Sequence, residues 1–236
     1  MLGLLKKLIP PSGRNAIRSK LADWKLHRAI QPLITTGRLT TEQLIAFRRA
    51  WSNEGFSADV RYLAETIALI EKHGGPVLEC GTGATTIIAG ILGERYGFET
   101  YCLEQDRAWG QLARRALEYH RISGVHVLDA PLQSFGPYAW YNTSGLQLPQ
   151  HFGVILCDGP FVDRSRGDSI YNSWRYGVLP FLHRTDSTFD ALLLDDVNDK
   201  RAMNVLERWI ADWNTRHDVI SSEDGECAIV RAGYVN

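Results

Sequence analysis

Val77-Leu78-Glu79-Cys80-Gly81-Thr82-Gly83 is the stretch on which the reading of this chain turns. It predicts a short strand that runs into two glycines, with a helix from Thr85 to about Arg95 behind it. Gly81 and Gly83 allow a tight strand-to-helix turn and let a ligand touch the main chain. The same rhythm continues downstream. Thr100 to Glu104 predicts the second strand, Arg107 to about Arg121 a helix and Val125 to Asp129 the third strand. Phe152 to Cys157 is the fourth, almost continuously apolar, as a parallel strand buried on both faces should be. A helix around 168–183, a fifth strand at Ala191 to Leu194 and a helix from about Lys200 to Trp213 follow, the last with Met203, Leu206 and Ile210 on one face. Two closing strands, Asp218 to Ser221 and Cys227 to Arg231, flank the hairpin-turn signal Glu223-Asp224-Gly225 and are expected to add an antiparallel edge. Alternating strands and helices define an α/β fold: a doubly wound, mainly parallel sheet of seven strands with an antiparallel last strand.

Upstream, residues 14–30, 40–50 and 58–73 read as helices, the second capped by Thr40 or Thr41 and the third stopped by Gly74-Gly75-Pro76. Residues 1–75 are therefore expected as a basic helical segment ahead of a 76–236 domain. Residues 1–50 hold ten Lys or Arg against two acids, Asp23 and Glu42, whereas the remainder holds sixteen against twenty-five, for a net charge of −1. Such asymmetry predicts that the N-terminus meets an anionic surface or packs on the acidic body. The opening Met1 to Pro11 is too broken by lysines for a signal peptide and predicts a short docking helix, with a membrane surface as the alternative. The 236 residues are 44% hydrophobic and 22% charged, which excludes wholesale disorder. The longest apolar runs fall far short of the ~18 residues that span a bilayer, and a soluble chain is expected. Cys80, Cys102, Cys157 and Cys227 lie in apolar strand-like runs without a C-x-x-C pair, which predicts buried thiols in a reducing, cytoplasmic compartment.

In an open α/β sheet, ligands bind outside the carboxyl ends of the strands. Here those ends carry acids in succession: Glu79 before the glycines, Glu104, Asp129, Asp158-Gly159-Pro160 and Asp195-Asp196. Glu104 lies where an acid can accept hydrogen bonds from both ribose hydroxyls of a nucleotide-like ligand. The dinucleotide fingerprint is incomplete, because Thr86 stands at its third glycine position.

With V-L-E-C-G-T-G, C-L-E-Q-D, L-D-A after the third strand, D-G-P and L-L-L-D-D-V in place, residues 76–231 resemble the class I S-adenosylmethionine-dependent methyltransferases, and more narrowly a bacterial branch of small methyltransferases similar to the methyltransferase domain 24 type. The resemblance implies a Rossmann-like sheet with a reversed last strand and S-adenosylmethionine as cofactor. It implies Glu79, Gly81, Thr82 and Gly83 at the methionine end, Glu104 and Gln105 at the ribose, and Asp129 and Ala130 by the adenine. Asp158 would face the sulfonium and the acceptor. In the catechol-type enzymes, positions matching Asp158, Asp195 and Asp196 bind a divalent cation, and carboxylates are the hard ligands Mg²⁺ takes. The lysine those enzymes place after the first acid is absent here. The competing reading of Asp196 is a cap on the following helix, and that of Glu79 a pairing with the N-terminal helices.

Methyl transfer mainly requires alignment and exclusion of water, and an acceptor hydroxyl must also lose a proton. Asp158 and Asp195 are the catalytic candidates, with His183 a weaker one. Segments 131–150 and 159–176 are expected to build the acceptor pocket, through Tyr138, Trp140, Tyr141, Phe161, Tyr171, Trp174 and Tyr176, or else to pack as the core of a lid. Arg164, Arg166 and Arg175 are candidates for an anionic acceptor. The expected acceptor is a small molecule or a glycan, methylated at oxygen. Nucleic acid is disfavoured by the acidic body and by D-G-P where base-amino methyltransferases carry D-P-P-Y or N-P-P-Y. The N-terminal helices are expected to cap the cofactor site or form a homodimer contact. The alternatives are a nicotinamide-dependent oxidoreductase and a non-catalytic nucleotide-binding scaffold.

Overall fold

The computed structural model describes residues 11–51, 58–161, 175–223 and 225–232. The expected helix within residues 1–9 lies outside them. In chain order the elements are α1 (Pro11–Thr36), α2 (Thr41–Trp51), α3 (Val60–His73), β1 (Val77–Cys80), α4 (Ala84–Tyr96), β2 (Thr100–Glu104) and α5 (Arg107–His120). They continue with β3 (Val125–Asp129), β4 (Leu132–Ser134), β5 (Ala139–Tyr141), β6 (His151–Cys157), α6 (Val178–Thr185), β7 (Thr188–Asp195), α7 (Lys200–Trp213), β8 (Arg216–Ser222) and β9 (Gly225–Arg231).

Seven strands form one sheet in the order β3-β2-β1-β6-β7-β9-β8, and β4 and β5 pair as a separate small hairpin. β1 pairs in parallel with both β2 and β6, so the strand order reverses direction between β1 and β6. β9 runs antiparallel to both of its neighbours, which makes it the one reversed strand. The closing hairpin forms one edge of the sheet, as expected, with the reversed strand the inner of its two. β9 sits inside the sheet, where Cys227, Ala228, Ile229 and Val230 are buried, and the more polar β8 forms the rim. Burial decides the order: an apolar strand covered on both faces displaces a charged one to the edge.

One face of the sheet shares a hydrophobic core with α1 to α5, through residues such as Ile30, Leu33, Phe47, Leu63, Ile70, Val77, Ile87 and Leu156. The other face packs against α6, α7 and the β4–β5 hairpin, with Trp140, Phe152, Phe181 and Trp209 at its centre. α1 is longer than the expected 14–30. Pro32 lies inside it, and it ends only at Gly37, whose left-handed backbone (φ 76) lets its N–H reach the Leu33 carbonyl. The buried face of α7 is Ala202, Val205, Leu206 and Trp209, and Ile210 is exposed. The indole N–H of Trp209 donates to the Tyr176 carbonyl at 3.0 Å, which turns that stripe inward in place of the one read from Met203, Leu206 and Ile210.

Thr40 caps α2, accepting from the Gln43 N–H while the Gln43 amide oxygen accepts from the Thr40 N–H, a reciprocal pair that satisfies two donors. Part of the basic excess upstream is absorbed internally, Arg38 pairing with Glu71 and Arg48 with Asp59. Among the described residues no helix is long and apolar enough to cross a membrane. All four cysteines are buried and unpaired, as expected.

Candidate active site

β1 leaves the sheet at Gly81, whose φ of +96 is a conformation that side-chain-bearing residues rarely hold. Its N–H donates to the Leu103 carbonyl of β2 at 2.9 Å. The Gly83 N–H then donates to Thr86 Oγ at 2.8 Å, and the Thr86 hydroxyl donates onward to Glu79 Oε2 at 2.7 Å. Thr86 therefore has a purpose at the position where a third glycine was sought: it ties the loop to the acid beneath it. Thr85 and the Cys102 thiol also donate to Glu79, which is 2% exposed. Glu79 thus pairs with α4 and β2 rather than with the N-terminal helices. Burial pushes its carboxyl up to about 7, against the pull of those three donors.

Glu104 closes the loop from the β2 side. Its Oε2 accepts from the Thr82 N–H at 3.0 Å and the Thr82 hydroxyl at 2.7 Å, and its Oε1 from the Asp106 N–H at 2.8 Å. Burial raises its carboxyl above the usual range. The α5 N-cap is Asp106, accepting from Ala108 and Trp109 N–H, which leaves Glu104 to the loop. Gln105, next along, donates from its side chain to the Phe161 carbonyl at 2.7 Å, so the ends of β2 and β6 are joined across β1. The Gln105 side-chain oxygen is buried without a hydrogen-bond partner among the described residues. Asp129 at the end of β3 is half-exposed and held by Arg114 at 2.6 Å, with Arg107 behind, and Arg114 draws its carboxyl below the usual range. Ala130 is buried, its N–H donating to the Glu104 carbonyl.

The D-G-P segment after β6 folds over the glycine loop. The Gly159 N–H donates to the Cys80 carbonyl at 2.6 Å, and a Cβ at Gly159 would lie 2.5 Å from the Tyr141 hydroxyl and 2.8 Å from that carbonyl. A proline here would lose the donor and strike both atoms, which is the physical reason for D-G-P rather than D-P-P. Beside it, ligand atoms of Asp158, Asp195 and Asp196 lie within 4.8 Å of one another, so the three acids converge as their positions in the sequence suggested. Asp196 does not cap the next helix; Asp199 does, accepting from the Arg201 N–H.

A guanidinium also lies at this junction. Arg175, 1% exposed, donates from Nη2 to Asp158 Oδ1 at 3.0 Å and to Asp196 Oδ2 at 2.7 Å, and from Nη1 to the Asp195 carbonyl at 2.5 Å. It is buried among acids and does not reach out to an anionic acceptor. Burial pushes Asp158 up to about 6 despite Arg175, and holds the deeper Asp195 well above the usual carboxylate range.

The aromatic residues divide. Tyr138, Trp140, Tyr141 and Tyr176 are buried and form the core beneath the site, Trp140 resting on Gly177. Phe161 is 56% exposed at the mouth. Tyr171, Trp174, Arg164 and Arg166 lie outside the described residues. His183 is exposed on α6 with its ring against Trp213. Sequence reasoning did not foresee the Arg175 bridge, the Thr85, Thr86 and Cys102 cradle for Glu79, or the Trp109 indole that donates to the Thr82 carbonyl.

No protein-family model matches the chain, nor does any curated protein. Solved structures do, and the fold is that of the class I S-adenosylmethionine-dependent methyltransferases. The N-terminal domain of human METTL16 in complex with SAH matches with a TM-score of 0.53 at 14% identity, over 83% of this chain and 83% of that one. The METTL16 MTase domain in a second crystal form gives 0.54 at 12% identity, covering 84% and 82%. The METTL16 catalytic domain in complex with the MAT2A 3'UTR hairpin 1 gives 0.51 at 13% identity, covering 83% and 82%. At such identities the likeness is one of fold.

Proposed function

We propose that this chain is an S-adenosylmethionine-dependent methyltransferase that acts on a small-molecule or glycan acceptor, at oxygen, in the cytoplasm. The observation that carries the reading is Glu104, its carboxylate fastened to Thr82 of the glycine loop beside the point where the strand order reverses. The residues fit such a cofactor. A Cβ at Gly83 would meet nothing within 4 Å, so there is open space beside the loop. The Gln105 oxygen is a buried acceptor in need of a donor, which a ribose hydroxyl or an adenine amino group provides. Three hydrogen bonds leave the Glu104 carboxylate room for one more.

When bound, S-adenosylmethionine supplies a methyl group already activated on a sulfonium. The protein has then to align the acceptor, exclude water and take up a proton. Asp158 is suited to taking up the proton, because its side chain is about one-third exposed, whereas Asp195 is buried. A carboxylate raised to about 6 is a stronger base than an ordinary aspartate and is still mostly ionised near neutral pH. Phe161 offers an apolar wall to the acceptor. The RNA hairpin seen with METTL16 belongs to that protein; here Asp158 and Asp196 beside the loop favour an uncharged acceptor over a polyanion.

A thermal-shift series with S-adenosylmethionine, S-adenosylhomocysteine, NAD and NADP tests the reading. Ligand at about 100 times its Kd stabilises by roughly 2.7 kcal/mol, a rise of about 5–10 °C for a chain of this size. The expected result is a rise with the two sulfur nucleotides alone. A rise only with the nicotinamide pair would overturn it in favour of an oxidoreductase, and silence from all four in favour of a scaffold.

A further inference from the structure

We infer that Arg175 is the resident cation of this site: between the ends of β6 and β7 its guanidinium holds the carboxylates of Asp158 and Asp196 and the main-chain carbonyl of Asp195, where the three acids would otherwise gather a divalent ion, and it sets the position of Asp158. The chain supplies three acceptors from two strand ends, and one guanidinium spans them all: a carboxylate oxygen after β6, a carboxylate oxygen after β7 and the main-chain carbonyl between. A planar fork of five donors matches such a set, whereas a lysine ammonium is a point charge. An Mg²⁺ ion needs oxygens at about 2.1 Å in a near-octahedral shell. It would have to compete for Asp158 Oδ1 and Asp196 Oδ2 with a buried guanidinium that already contacts both at 3.0 and 2.7 Å.

The backbone supports the same assignment independently. Arg175 (φ 65) and Asp196 (φ 58) both sit in the left-handed region, where side-chain-bearing residues are uncommon. Such conformations persist where surrounding contacts over-determine them, and here each residue is the other's partner. Arg175 is a positioning residue: it touches Asp158, not the acceptor. Only the role given to Asp158 rests on the methyltransferase reading; the cation itself is tested on the protein alone.

The test is a Mn²⁺ titration by calorimetry, with melting curves, on the full chain as wild type, D196N, R175M and the paired variant R175M/D196N. Wild type is expected to show no saturable Mn²⁺ binding and no change in Tm with EDTA. Leaving buried acids without their counter-ion should lower the Tm of R175M by roughly 10 °C. Removing one of those acids in R175M/D196N should recover more than half of that loss, and Mn²⁺ should raise the Tm of R175M while leaving wild type unmoved. Saturable Mn²⁺ uptake by wild type that D196N abolishes would overturn the assignment. So would an R175M protein that gains nothing from either D196N or Mn²⁺, since the guanidinium would then be packing only. Should R175M be insoluble, the wild-type and D196N titrations still decide. A failure to bind S-adenosylhomocysteine would sink the methyltransferase reading and leave these outcomes standing.

Discussion

Replacing Glu79 by Gln isolates the more deeply buried of the two acids that hold the loop. The wild-type carboxyl ordinarily titrates near 4.5, and burial raises it to about 7 in the folded protein. Below about pH 4.5 it is protonated in both states and contributes its full stability. As pH rises from there through about 7 the unfolded chain ionises first, so unfolding releases a proton and stability falls. Above pH 7 the accumulated loss is about 3 kcal/mol, the gap from 4.5 to about 7 at 1.36 kcal/mol per unit. A glutamine of the same shape never ionises. Its oxygen can accept from one threonine hydroxyl, and its amide can donate to another that rotates. The difference in unfolding free energy between E79Q and wild type should therefore move in favour of E79Q by about 3 kcal/mol between pH 4.5 and 8. Urea unfolding of both proteins across that range measures it, and groups common to the two cancel in the difference. A flat difference would refute the reasoning, because it would mean that Glu79 stays ionised in the fold. So would one that moves in favour of wild type as pH rises.

Two further outcomes concern the loop. Gly159→Ala places a methyl group against the Tyr141 hydroxyl and the Cys80 carbonyl and should destabilise by about 1–3 kcal/mol; Tyr141→Phe in the same background relieves only the first contact, so full recovery in a melting experiment would contradict the geometry. Glu104→Ala removes the acceptor for the Thr82 N–H and hydroxyl and should weaken S-adenosylhomocysteine at least about tenfold by calorimetry, equivalent to roughly 1.4 kcal/mol; unchanged affinity would place the ribose elsewhere.

Much of this molecule was legible along the chain because its signals are local. A strand covered on both faces is written as an unbroken apolar run, as in Phe152 to Cys157, and a strand-to-helix turn as Gly81 and Gly83. The acids at strand ends followed from the same pattern, since knowing where a parallel strand stops says which residues share its carboxyl edge. Helix caps were less secure, because several acids compete for each: Asp199 took the role weighed for Asp196.

What the sequence by itself determined is the alternation of elements, the glycine loop and the set of acids that meet at one edge of the sheet. Tertiary structure alone decided their partners. Arg175 reaches Asp158 and Asp196 from 17 and 21 positions away, and no periodicity connects them. The same holds for the Cys102 thiol on Glu79, the Tyr141 hydroxyl that forbids a side chain at Gly159, and the inward place of β9. Each depends on a distance across the fold. Such distances are set by how two layers of helices pack on a sheet, and a buried charge takes whichever opposite charge that packing brings within reach.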